Sequence, residues 1–95
     1  MNPVGMTPRQ LQLLVFVQNY VAQHGYSPTC REIAAGIGIR AASHVHYIVR
    51  AIEERGLCRH LPGRSRSIAL TESGHLTALR FSARSVSRAT SEVAA

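Results

Sequence analysis

The sequence contains no lysine, no aspartate and no tryptophan, and only two cysteines. Each shortage excludes something. With no Asp or Lys, an enzyme would have to be built on five Glu. No carboxylate–His or Ser–His grouping is recognisable, and Gly36-x-Gly38 is too short for a phosphate-cradling loop. Catalysis is therefore not expected. Cys30 and Cys58 fit no C-x-x-C pattern and are read as free thiols rather than as a disulfide. Among possible metal ligands, His44 and His46 are two residues apart on a helix and point to different sides, so they cannot easily share an ion. No metal and no cofactor are expected. No run approaches the length of an apolar span. MNPVGMTPRQ lacks the charged start and long apolar run of a signal peptide. No repeat is visible. Membrane attachment is not expected, and a reducing, cytoplasmic, nucleoid-associated setting is.

What is present is arginine. All eleven basic residues are Arg, giving a formal charge of +6 on 95 residues. Codon bias can replace Lys by Arg, but it does not create an excess of positive charge. A small basic domain suits a polyanion, and the guanidinium fork suits phosphate and guanine. The length predicts one domain, and 45% hydrophobic residues allow a compact but small core that a dimer would help.

The stretch from Pro28 to Gly56 organises the rest. Thr29 and Glu32 stand in the order T-x-x-E, a capping box that starts a helix at about Cys30. Ile33, Ala34 and Ile37 give it an apolar side, and Gly36 and Gly38 break it. A second helix begins near Ala42 or Ser43 and stops at Gly56. Val45, Ile48, Val49 and Ile52 follow i, i+3, i+4, i+7, one buried stripe. The opposite side carries Ser43, Tyr47 and Arg50, flanked by His44 and His46. An ordinary solvated face is rich in Glu and Lys. This one offers hydroxyl, imidazole, phenol and guanidinium groups that suit base edges and phosphates.

Around that pair, residues 1–6 read as a flexible leader. Thr7-Pro8 opens a helix running to about His24. Its core stripe is Leu13, Leu14, Val17 and Val21, with Tyr20 at the edge. Leu11 and Val15 fall on the far side, a candidate contact for the C-terminal tail or a second subunit. After Gly56, Leu57–Leu61 and Ser67–Leu70 read as strands of a hairpin. Alternation turns Leu57 and Leu61 one way, as it does Ile68 and Leu70. The turn Pro62-Gly63-Arg64-Ser65-Arg66 makes a basic tip. With Arg59, His60, Arg64 and Arg66 it can follow a phosphate backbone, although such tips are often merely solvated. Thr71-Glu72-Ser73 caps a short final helix to about Phe81, with Leu76 and Leu79 as apolar members. Residues 82–95 have the composition of a disordered basic tail.

The fold class is mainly α with a small β-hairpin, a winged helix-turn-helix over 7–70. The match to one family is closer than that. TPRQ at Thr7–Gln10, GYSPT at Gly25–Thr29, REIAAGIGI at Arg31–Ile39 and RAIEERGL at Arg50–Leu57 resemble, in order and spacing, the N-terminal DNA-binding domain of the LexA repressors. The resemblance implies a recognition helix in the major groove. It puts Ala41, Ser43, His44, His46 and Tyr47 against bases, in a chemistry that departs from the family's usual small and polar residues. Ala41 stands where the family usually caps with Ser. Thr29, Arg31, Arg40, Arg50, Arg59, Arg64 and Arg66 are the candidates for the phosphate backbone. LexA repressors continue into a self-cleaving domain with a Ser–Lys dyad. A chain without Lys cannot supply that dyad, so proteolysis is not expected.

The resulting expectation is a sequence-specific regulator of transcription, a repressor, on double-stranded DNA. A palindromic operator goes with a homodimer formed through Leu11, Val15, Leu76 and Leu79. The alternative is a winged-helix protein–protein interaction module, an adaptor or antirepressor. It would use the apolar flank of the first helix and bind DNA weakly.

Overall fold

A computed structural model describes residues 6–81; the expected tail at 82–95 and all but the last residue of the leader lie outside the described residues. Helix α1 spans Pro8–His24, α2 Cys30–Ile37 and α3 Ala42–Glu54. Strands β1 (Cys58–Arg59) and β2 (Ala69–Leu70) form an antiparallel pair, Cys58 opposite Leu70 and Arg59 opposite Ala69. Residues 72–81 are helical and are called α4.

Local chemistry sets the helix boundaries. Thr29 Oγ1 accepts from the Glu32 amide (3.1 Å) while Glu32 Oε1 accepts from the Thr29 amide (2.8 Å), the capping box expected from sequence. A second box, not anticipated beyond its Thr-Pro opening, starts α1. The Gln10 amide donates to Thr7 Oγ1 (3.1 Å) and Gln10 Oε1 accepts from the Thr7 amide (3.2 Å). Helix α2 ends at Gly38, whose φ of 77° lets its amide turn back to the Ala34 carbonyl. Gly36 has a different role from the expected breaker. It lies inside α2, where a Cβ would sit 2.0 Å from the Phe16 ring. Its missing side chain is what lets α1 and α2 approach.

The core is the meeting of the helical stripes. Leu13, Leu14 and Val17 of α1, Ile33 and Ala34 of α2, and Val45, Ile48, Val49 and Ile52 of α3 are buried in one cluster with Leu57, Cys58, Ile68 and Ala78. The α3 stripe is the one expected. Helix α1 differs. Leu11, placed on the far side by periodicity, is only 4% exposed, whereas Val21 is 39% exposed. The first half of α1 is covered over a wide arc, and its last turn extends past the core. Leu11 is thus already covered within the chain, which removes it from the candidate dimer surface.

The hairpin is shorter than alternation suggested. Leu57 and Cys58 are both buried, and Leu61 is exposed. The reason is that Leu57 still belongs to the turn out of α3, its amide donating to the Ile52 carbonyl (3.1 Å). Regular alternation has not yet begun there. Helix α4 also turns the other way. Its inward positions are Gly74 and Ala78, while Leu76 and Leu79 are 54% and 43% exposed. Thr71 sets this rotation: its Oγ1 donates to the Gly56 carbonyl (2.6 Å) and accepts from the Gly74 amide (3.1 Å). That places Gly74 directly over the Leu57 backbone, where a Cβ would lie 1.8 Å from the carbonyl oxygen.

Gly74→Ala should therefore destabilise the domain by about 1–3 kcal/mol, because the clash is with backbone rather than with a movable side chain. Urea unfolding followed by circular dichroism measures it; an unchanged midpoint would mean that α4 slides freely on Leu57.

Candidate nucleic-acid interface

Helix α3 buries one stripe and leaves its other side open. Ser43, His44, His46, Tyr47 and Arg50 are all exposed, Tyr47 to 76%. Ala41 is the N-cap, in extended backbone, and offers no side-chain cap. The His44 amide donates to the Ala41 carbonyl (3.1 Å), while the amides of Ala42 and Ser43 receive no side-chain cap. Helix α2 crosses behind, and the Gly38 turn presents Arg40 at its exit.

Between the α3 flank and the wing lies an open cleft of about 480 Å³. His46 and Cys30 line one wall, and His60, Leu61, Arg64 and Ser67 line the wing side. The wing and α3 therefore border one cleft. The wing is braced internally. Ser67 Oγ accepts from the Leu61 amide (3.0 Å) and lies 3.0 Å from the Arg64 carbonyl, which it can reach as donor. At the wing's base the Glu53 carboxylate accepts from the His60 amide (2.9 Å). Glu53 also lies 2.8 Å from His60 Nδ1, but off the line of a well-directed hydrogen bond. His60 thus faces α3 rather than lining an outer basic edge.

The arginines divide into two kinds. Arg31, Arg40, Arg50, Arg59 and Arg64 are exposed. Arg66, expected among them on the phosphate backbone, is also at the surface, but its guanidinium is paired within the chain. Its Nη1 and Nη2 donate to Glu32 Oε1 (2.9 Å) and Oε2 (3.0 Å), a bidentate pair. Nη1 is also within reach of the Ser27 carbonyl (3.2 Å) and Tyr20 Oη (3.3 Å), and the guanidinium stands 4.9 Å from the Tyr26 ring centroid. Position 66 has a φ of 55°, in the left-handed region. Glu32 is thus shared between the α2 cap and the wing. The Thr29 amide, and then Arg66, hold its carboxyl down at about 2. Thr29 itself, expected near the backbone of a nucleic acid, uses its hydroxyl as the α2 cap.

The two thiols are free. Burial pushes both above the ordinary thiol range, Cys58 to about 12 with help from the Glu53 charge. Cys30 Sγ stands 3.7 Å from His46 Nδ1, a neighbour that sequence spacing gave no means of finding. No three His, Cys or Glu side chains among the described residues come together as a metal site. Among these residues no helix is long and apolar enough to cross a membrane.

With this geometry in place, comparison with known proteins is decisive at the level of family. Residues 3–67 match the family model of the LexA DNA binding domain. The chain belongs to that family. The LexA repressor of Geobacter metallireducens is 41% identical over 73 residues, covering 77% of this chain and 36% of the repressor. That of Marinobacter nauticus is 41% identical over 68 residues, covering 72% and 34%. The chain therefore spans about a third of the length of these relatives, and the matched part is their DNA-binding domain. The fold is also shared with solved structures. MepR, a transcription regulator of the Staphylococcus aureus multidrug efflux pump MepA, superposes with a TM-score of 0.71 at 22% identity, over 95% of this chain and 65% of MepR. An Archaeoglobus fulgidus protein superposes with a TM-score of 0.67 at 23% identity, over 84% and 87%. In this LexA-type domain the four motifs read from sequence lie on α1, the loop before α2, α2 itself and the end of α3.

The Glu32 carboxyl provides a test of the interior. Folding lowers its pKa, so its contribution to stability is complete above the ordinary Glu range near 4.3 and is lost as pH falls toward about 2. Glu32→Gln should be less stable than the parent at neutral pH, and the gap should close on acidification through that window. A gap that stayed constant down to pH 2 in urea titrations would show that the carboxylate charge is not what holds Arg66.

Proposed function

We propose that the chain binds double-stranded DNA sequence-specifically and represses transcription, with α3 in the major groove. The observation that carries this reading is the division of α3. Its whole aliphatic stripe is buried, and an unbroken set of polar side chains stands free on the other side, in a member of a DNA-binding family. Ala41, Ser43, His44, His46 and Tyr47 face the bases. Arg31, Arg40, Arg50, Arg59 and Arg64 meet phosphates on either side, and Thr29 sits behind them at the start of α2. His and Tyr in the second turn set a base preference of this chain's own. The protein acts without catalysis or cofactor, in the cytoplasm on nucleoid DNA. A second copy joins through the outward side of α4, Leu76 and Leu79, with Val15 near by, and the operator is a palindrome with half-sites about one turn of DNA apart. The 41%-identical relatives being LexA repressors supports the repressor sense.

Selection from a randomised duplex pool, followed by anisotropy titration at two salt concentrations, tests the reading. Enrichment of an inverted repeat is the expected result, and strong binding with no enrichment would refute sequence reading. On the selected site, Tyr47→Ala should reduce discrimination by about 1–3 kcal/mol at one base pair while changing random-sequence binding little. Arg64→Gln should weaken all duplexes alike and lower the slope of log K against log salt by about 0.9. Equal losses on selected and random DNA for Tyr47→Ala would remove that residue from the base-reading set.

A further inference from the structure

We propose that Arg66 is a positioning residue for the wing, which fixes the wing against α2 through Glu32 and does not itself ligate phosphate. The inference rests on the DNA-binding reading above and changes what one arginine of that interface does.

Four observations carry it. The guanidinium spends both terminal nitrogens on the two oxygens of Glu32, at 2.9 and 3.0 Å. Its remaining reach goes to the Ser27 carbonyl and Tyr20 Oη, and its face lies near Tyr26. Its charge is thus already matched by a carboxylate that the Thr29 amide also holds in place. The backbone at 66 is left-handed, an uncommon state for a residue with a Cβ. A solvated phosphate-seeking side chain would not need it. Finally, Ser27 Oγ donates to the Ile68 carbonyl, so the α1–α2 loop grips the wing on both sides of residue 67. The wing's place beside α3 is then set by α2 and the loop before it. Arg64 at the tip and Arg59 on β1, both exposed, are the wing's cations for DNA.

The charge and the fork can be separated. Lysine keeps the charge of Arg66 but cannot bridge both carboxylate oxygens in one plane. The full chain and a fluorescein-labelled duplex of random sequence are titrated across a salt series, for Arg66→Lys, Arg66→Gln, Glu32→Gln and the double variant Glu32→Gln/Arg66→Gln. Amide hydrogen exchange of residues 60–68 is followed without DNA. We expect Arg66→Lys to weaken binding about fivefold, on the scale of one charge-assisted hydrogen bond, with the salt slope unchanged. Arg66→Gln should add little further loss once Glu32 is already Gln, since the two act as one unit. Wing amides should exchange faster in all four variants.

Near-parental binding by Arg66→Lys, together with a slope lowered by about 0.9 in Arg66→Gln, would overturn the proposal and return Arg66 to the phosphates. Unaltered wing exchange in the variants would overturn it also. If the parent chain fails to bind any duplex, the DNA reading falls by itself, and the exchange data alone decide whether Arg66 holds the wing.

Discussion

The Glu32 carboxylate is the point on which the arrangement of parts depends. One oxygen closes the capping box on the Thr29 amide, and both oxygens receive the Arg66 guanidinium. A helix start, the loop before it and a hairpin more than thirty residues away are therefore held by a single group. The same carboxylate does local work, ending the disorder of a chain entering a helix, and long-range work, fixing an edge of the binding surface. Its lowered pKa is the thermodynamic trace of both. Without the pairing, the wing would be attached by its short strand ladder, by the burial of Cys58 and Ile68 in the core, and by the Ser27 and Glu53 contacts.

Helix α3 solves a different problem. A small domain has few residues with which to build both a core and a surface that recognises something else. In the proposed function one helix does both. Val45, Ile48, Val49 and Ile52 are nearly inaccessible, while His46, Tyr47 and Arg50 between them are exposed. Packing the stripe against Leu14, Val17 and Ile33 makes the outer side rigid without spending any of its functional groups. Hydrogen-bonding side chains on a rigid helix can discriminate between base edges, because folding has already fixed the backbone that carries them. The arginines at positions 40 and 64 are exposed and lie outside the helices and strands, which in the proposed function suits contacts that follow a backbone rather than read it.

What could be read from the sequence was what depends on near neighbours. The T-x-x-E box, the Thr7-Pro8 start and the α3 stripe are encoded within a turn or two, and the helices lie where those signals put them. The order of family motifs identified the domain for the same reason. Contacts between distant segments were not legible. Nothing in the spacing of Glu32 and Arg66 says that they meet, and a basic turn reads the same whether its charges are free or paired. Leu11 shows the limit of periodicity, since an arc wider than one stripe is buried where several elements converge on α1. Helix α4 shows another. Hydrophobicity pointed at Leu76 and Leu79, but close backbone approach favours the smallest residues, and Gly74 and Ala78 face inward. The residues proposed to face bases rest on the helix register together with the family resemblance, and the operator they would read follows from neither.

The left-handed backbone at Arg66 has a consequence for how this position can change over generations. Backbone geometry alone favours glycine there, and glycine would relax the turn. The side chain favours arginine, and only arginine presents a planar fork. Two selections with opposite preferences thus meet on one codon. Lysine satisfies neither: it keeps the strained backbone and loses the fork. At exposed sites such as Arg31 or Arg50, the exclusive use of arginine among eleven basic residues reads as a matter of charge for which lysine would serve. At position 66 the same choice is imposed by shape.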